Sequence, residues 1–249
     1  MTRLLSIIWV GLLICPPAKP QIFEVATIRP HAPGDARFLV RFPVNGRFTA
    51  TGATARLITR MAYDVQEDQL IGGPSWFATD QWDIQAESGN PATRSAGDTR
   101  LMLQKLLENR FGLRVHRENR NRPAYVLTVG KGGPKFQADE SDGPTDIHVT
   151  ATSIETRGAE LSKITQTLST ALGRTVVDGT GLKGRYSVSL AWDEIPGMGN
   201  TPGAEPSLSR NEHGSIFTAV EEQLGLRLEA RHAEVQTIVV DRIERPSEN

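Results

Sequence analysis

The same helix-stop-strand phrase occurs twice in this 249-residue chain, and any fold must accommodate both copies. Phe111-Gly112-Leu113-Arg114-Val115 returns as Leu224-Gly225-Leu226-Arg227-Leu228, with the two glycines 113 residues apart. In each copy an apolar residue closes a helical stripe, glycine supplies the left-handed stop, and an apolar-polar alternation opens a strand. At the same offset Tyr125-Val126-Leu127 falls opposite Ile238-Val239-Val240. Upstream, the helix around Leu57 corresponds to that around Leu161, and the strand Trp82–Ala86 to the strand Tyr186–Leu190. The irregular stretches 87–97 and 193–212 hold equivalent places. The pattern predicts an α+β fold: an internally duplicated unit of short amphipathic helices packed on small mixed or antiparallel sheets. Each half, 21–144 and 145–249, is expected to run strand, helix, two strands, helix, two strands, and the halves to share one dry interior.

The individual elements follow from periodicity and punctuation. Ile22–Ile28, Arg47–Thr51, Gln69–Ile71 and Gln81–Ala86 read as strands, and Ala53–Tyr63 as a helix with Leu57, Ile58, Met61 and Ala62 on one stripe. Asp98 is the expected N-cap of a helix carrying Leu103, Leu106, Leu107 and Phe111. Leu113–Arg117 and Ala124–Val129 then read as two strands of a charged hairpin, with 130–143 a glycine-rich linker. In the second half Ile147–Thr152 is a strand and Ala159–Leu172 a helix stopped by Gly173. Thr175–Val177 and Arg185–Trp192 are strands, and Asp178-Gly179-Thr180-Gly181 is turn chemistry. Ser215 is expected to cap a helix with Phe217, Val220 and Leu224, followed by strands Leu226–Ala230 and Thr237–Ile243.

The first twenty residues read as an export signal. Arg3 precedes the eleven-residue apolar run Leu4–Ile14, which is short for a membrane span and right for a signal segment, and Pro16, Pro17 and Pro20 then break any helix. A secreted or periplasmic location is expected, with no transmembrane span after removal of the leader. Cys15 is the single cysteine; Ile14 before it is larger than lipoprotein processing prefers, so lipid anchoring there is the lesser reading. Without disulfides, a hydrophobic core must hold the mature chain, and its length permits one. A formal charge of −1 gives no global attraction to nucleic acid.

Several stretches resemble a family of uncharacterised secreted proteins of soil bacteria, the acidobacterial type. They are Phe23-Glu-Val-Ala-Thr-Ile-Arg-Pro30, Leu70-Ile-Gly-Gly-Pro-Ser-Trp76, Leu103-Gln-Lys-Leu-Leu-Glu-Asn-Arg-Phe111, Val177-Asp-Gly-Thr-Gly-Leu182, Ser215-Ile-Phe-Thr-Ala and the closing Glu-Arg-Pro-Ser-Glu-Asn249. The resemblance spans the mature chain and implies a domain of unknown function, in some relatives attached to a membrane metallopeptidase of the antibiotic-sensor type. No His-Glu-x-x-His is present in this chain. The repeated unit is also similar to the short N-terminal domains of secretins and TonB-dependent receptors, which implies protein contacts in the periplasm.

Catalytic signatures are missing from the residues. The five histidines (His31, His116, His148, His213, His232) lack paired ligand spacing, so no metal or cofactor is expected. Ser75 sits in Gly-Pro-Ser-Trp, a turn rather than a nucleophile elbow. Gly130-Lys-Gly-Gly-Pro-Lys135 lacks the ending and the following helix of a phosphate loop. Asp80, Asp83, Asp178 and Asp193 are the carboxylates a glycan hydrolase would draw on, and each reads more simply as a turn former. The most biased region holds Lys105, Arg110, Arg114, Arg117, Arg120 and Arg122 against Glu108 and Glu118, a candidate patch for an anionic polymer or an acidic partner. Trp76 and Phe77 after Gly-Gly-Pro are candidate aromatic anchors, or a plug beneath the turn. The expectation is a non-catalytic, exported interaction, scaffold or sensor module whose partner is another envelope protein or an envelope polymer. An envelope glycan hydrolase and an anionic-polymer binder working through Arg110–Arg122 are the alternatives.

Overall fold

A computed structural model describes residues 22–41, 46–88, 96–141, 143–193 and 214–246. The expected leader with Cys15, and most of the expected loop 193–212, lie outside the described residues. The fold is α+β, with three four-stranded sheets.

The first outer sheet contains β1 (Val25–Pro30), β2 (Leu39–Arg41), β3 (Arg47–Thr54) and β5 (Gln81–Glu87) in the order β1-β5-β3-β2, all antiparallel. Between β3 and β5 run α1 (Ala55–Tyr63), a 3-10 turn at Glu67–Gln69, the short β4 (Leu70–Gly72) and α2 (Trp76–Thr79). Helix α3 (Ala96–Phe111) and β6 (Arg114–Val129) follow. The second outer sheet contains β7 (Gln137–Ala138), β8 (Asp146–Val149), β9 (Ser153–Glu160) and β11 (Arg185–Ala191) in the order β7-β11-β9-β8. Between β9 and β11 lie α4 (Leu161–Leu172) and β10 (Val176–Asp178), and α5 (Ile216–Leu224) leads into β12 (Leu226–Arg242). The two outer sheets therefore take up their strands in the same sequence of places.

The central sheet, β10-β6-β12-β4, crosses between the halves. Strands β6 and β12 pair antiparallel along nearly their whole length, while β4 runs parallel to β12 and β10 parallel to β6. Each short strand thus joins the long strand of the other half. The register sets Asn121 opposite Glu234, residues separated by the spacing of the two glycine-centred motifs.

The long strands differ from the expected hairpins, which would have broken each of them near its polar middle. Arg117–Pro123 carries charges and a proline, the composition of a turn, yet it is continuous strand. The backbone shows why. The Tyr125 N–H points away from β12 and donates to the Thr175 carbonyl, so Pro123, two residues earlier, also turns its nitrogen outward. A proline there removes no hydrogen bond from the β6–β12 ladder and blocks the open edge.

The polar middle also divides the interior. Arg117, Asn119, Asn121 and Pro123 of β6, and His232, Glu234 and Gln236 of β12, are exposed. Apolar contact cannot run past them, so the chain builds two cores in place of the one expected. The first joins Ile28, Phe48, Ile58, Ile84, Leu107 and Phe111 to Ile238 and Val240 of β12. The second joins Ile154, Ile164, Leu168, Leu190 and Leu224 to Leu127 of β6.

Local chemistry sets most boundaries. Thr54 caps α1 by accepting from the Leu57 N–H, and Ser215 caps α5 by accepting from that of Thr218. Gly225 ends α5 in the left-handed region at φ 66°. Asp98 lies inside the first turn of α3 and so is not its cap. Three strands escaped sequence reading: β2; β7, two residues within the expected linker 130–143 that pair with β11; and β9, whose inward row Ile154, Thr156, Gly158 is too small and polar to stand out.

Both β3 and β9 carry a glycine where the outer-sheet register slips, Gly52 at φ 64° and Gly158 at φ 59°. A Cβ on Gly52 would stand 2.6 Å from the Arg37 carbonyl oxygen. At Gly34, also at positive φ, a Cβ would meet nothing within 4 Å. Gly52→Ala is therefore expected to lower the unfolding free energy by up to about 3 kcal/mol and Gly34→Ala by about 1 kcal/mol. Urea denaturation of the two variants checks this, and equal losses would sink the steric argument.

Candidate functional site

The candidate basic residues do not form one patch. Lys105 and Arg110 stand on α3, and both line a cavity beside the segment that enters β1. Lys105 and Arg114 converge on Glu108, with Nζ and Nη1 at 2.7 and 2.6 Å from its two oxygens. Hydrogen bonds from Lys105 and then Arg114 hold the Glu108 carboxyl below the usual carboxylate range. Along β6 the alternation of side chains places Arg114, Arg120 and Arg122 on one face and Arg117 on the other. Arg120 pairs with Glu118 at 2.9 Å, and Arg117 donates to the Gln236 side-chain oxygen at 2.7 Å. Two carboxylates thus engage Lys105, Arg114 and Arg120, while Arg110, Arg117 and Arg122 have no carboxylate partner among the described residues.

The two candidate aromatics separate in role. Phe77, in α2 beneath the Gly72-Gly73-Pro74 turn, is 1% exposed and belongs to the first core, so it offers no surface to a ligand. Trp76 is half-buried and packs on that core from outside. The Arg245 guanidinium lies 5.2 Å above the Trp76 ring and pairs with Asp80 at 2.8 Å, which ties the C-terminal segment to the turn.

The four candidate carboxylates each hold backbone or a neighbouring side chain. Asp80 is occupied by Arg245. Asp178 accepts from the N–H and hydroxyl of Thr180 at 2.9 and 2.7 Å, closing the Asp-Gly-Thr-Gly turn. Asp193 accepts from the Gly214 N–H at 2.8 Å. Asp83 accepts from the Gly52 N–H at 2.9 Å and also meets His31.

That last contact belongs to a cluster the sequence did not disclose. His31 has 3% of its side chain exposed, with Nδ1 2.7 Å from the Asp83 carboxylate and Nε2 2.9 Å from the Asp35 carbonyl. A carbonyl and a carboxylate both accept, so the site favours the ring with hydrogen on both nitrogens, the imidazolium. The Asp35 carbonyl first, and the Asp83 carboxylate second, raise its pKa above the ordinary 6.5. Arg37 in turn lowers the Asp35 carboxyl to about 2. Nothing within residues 31–37 points to Asp83, which chain folding brings from 52 positions away. The cluster anchors the segment leading into β2, where Phe38 is 64% and Leu39 40% exposed at the open end of the sheet. The second outer sheet has a similar arrangement without histidine: the Gly158 N–H donates to Ser187, whose hydroxyl donates to Asp139 at 2.7 Å.

Because folding raises the His31 pKa, its stabilisation is complete below pH 6.5 and is lost as the pH climbs through the raised value. Unfolding free energies measured from about pH 6 to about pH 9 should fall over that range, and His31→Gln should remove most of the fall. A wild-type curve that is flat there would sink the imidazolium assignment.

Among the described residues no group of three or more His, Cys, Asp or Glu is arranged to hold a metal ion, and no helix is long and apolar enough to cross a membrane. A second cavity, of about 250 Å³, lies where the α1 end and the 3-10 turn approach α4. Its hydroxyls and amides are engaged nearby: Thr165 on the Leu161 carbonyl, Ser169 on that of Thr165, and Gln166 on that of Asp64.

No curated protein and no solved structure matches the chain. One family model does, over residues 56–243, which run from α1 through the end of β12. The chain therefore belongs to the family described as "Protein of unknown function (DUF3738)".

Proposed function

We propose that this protein is an exported interaction module of the bacterial envelope that works through an open sheet edge. The observation carrying this reading is β2. Among the described residues it pairs on one side only, with β3, and leaves Phe38 and Leu39 in solvent between Arg37 and Arg41. An edge strand offers unpaired backbone groups to an added strand, and exposed apolar side chains beside it supply affinity. The Arg3 and Leu4–Ile14 leader pattern supports export. The shared strand order of the outer sheets, and the Asn121–Glu234 pairing at the repeat spacing, support descent from one duplicated unit.

The rival readings draw less from the geometry. A glycan hydrolase needs two carboxyls facing across a cleft, and the candidate aspartates are engaged in separate turns and ion pairs. A binder of anionic polymers needs cations available to phosphate, sulfate or carboxylate, and Arg114 and Arg120 already have carboxylate partners.

Two measurements test the proposal. Replacing Phe38 and Leu39 together by Asp should leave the thermal midpoint nearly unchanged and abolish retention of the partner that the wild-type protein captures from native envelope extract. Undiminished capture would remove the β2 edge from consideration. Replacing Arg114, Arg117 and Arg120 by Ser should leave retention on an anionic resin unchanged; a large loss, steeply dependent on salt, would restore the polymer-binding alternative.

A further inference from the structure

We infer that the cavity between α3 and the segment entering β1 is a binding site for a small monoanionic carboxylate carried on a short apolar group. The cavity measures about 260 Å³. Ile22, Phe23, Ala26 and Leu106 give it an apolar wall, and Lys105 and Arg110 give it two cations.

Arg110 is the atomic reason for assigning an anion. Its Nη2 is buried without a hydrogen-bond acceptor, and the residue makes no ion pair among the described residues. A buried guanidinium N–H left unpaired is costly, and a missing acceptor at such a place needs an explanation. Arg60, Arg100 and Arg122 also have a buried unbonded nitrogen, but Arg60 and Arg100 pair with Glu67 and Asp64, and Arg122, on β6, does not line this cavity. Arg110 differs by lining a cavity. A carboxylate oxygen at Nη2 would satisfy the donor with a charge-assisted bond. Lys105 stands on the same helix, one face already held by Glu108, so it adds attraction without demanding a second anion.

The remaining lining narrows the ligand. Exposed Glu24 at the rim opposes further negative charge, which favours a monoanion over a phosphate or a dicarboxylate. The volume of about 260 Å³ lies below the usual range for drug-sized ligands. That suits a short aliphatic or aromatic acid, or the C-terminal carboxylate and last apolar side chain of a peptide. The chemistry is common to both sources.

Titration of the isotopically labelled protein, followed by the amide resonances of Phe23–Ala26 and Leu106–Phe111, tests the site. Hexanoate should shift them saturably and at least tenfold more tightly than hexanol, while hexylamine and succinate should bind weakly or not at all. Arg110→Gln should lose at least tenfold in hexanoate affinity with its thermal midpoint retained, and Arg110→Lys should recover part of it. Tighter binding by the free acid identifies a small metabolite. Tighter binding by Gly-Gly-Leu, lost in its C-terminal amide, identifies a peptide terminus. Equal binding of hexanoate and hexanol by the wild-type protein, or no saturable shift with any acid, overturns the assignment. Neither result bears on capture through β2, which lies at the opposite edge of the same sheet.

Discussion

The antiparallel pairing of β6 with β12 is the contact on which everything else in this protein depends. It runs from Leu226 opposite Val129 to Arg242 opposite Arg114, and each end forms part of the wall of one core. The exchange of short strands strengthens this arrangement. β4 leaves the first half to join β12, and β10 leaves the second half to join β6. Neither half can complete its central sheet alone, so the two cores are separate in their apolar contacts and joined in their backbone hydrogen bonds.

Between the cores the contacts are polar. Asp68 accepts from the Thr175 hydroxyl at 2.8 Å, Gln69 donates to the Gln236 carbonyl at 3.0 Å, and Gln66 reaches Thr170 at 3.3 Å. Such bonds fix relative position and contribute modestly to net stability, since each replaces bonds to water. The burial of apolar side chains within each core supplies the larger share. The same logic explains the surface. Arginines and carboxylates close together in sequence or across a strand pair neutralise one another, and the aspartates hold turns. Among the described residues, the β2 edge with its two exposed apolar side chains and the Arg110 donor at its cavity are left available for recognition.

The longer helices and their stops were legible because their signals are local, while the four-residue α2 was not. The stripe Leu103, Leu106, Leu107, Phe111, the serine before α5 and the glycines at positions 112, 173 and 225 need only neighbours within a turn to act. The outer strands β5 and β11 were equally plain from strict alternation, Trp82-x-Ile84-x-Ala86 and Tyr186-x-Val188-x-Leu190. Strand β2 was not, because three residues at an edge carry too short a pattern. The candidate residues were legible as types and not as places: Trp76 and Phe77 are adjacent in sequence, yet one faces outward and the other fills the core.

The sequence by itself determined the α+β class, the helical faces and the recurrence of one glycine-stopped motif, since these depend on periodicity and on the φ preference of single residues. Only the tertiary structure decided that the polar stretch Arg117–Pro123 is strand, that there are two cores, and that His31 meets Asp83. Each of those outcomes is set by a partner far away in the chain. A proline is harmless when its nitrogen faces outward, a charged run is tolerated when a second strand satisfies its backbone, and a histidine holds its second proton more tightly when folding places an acceptor at each nitrogen.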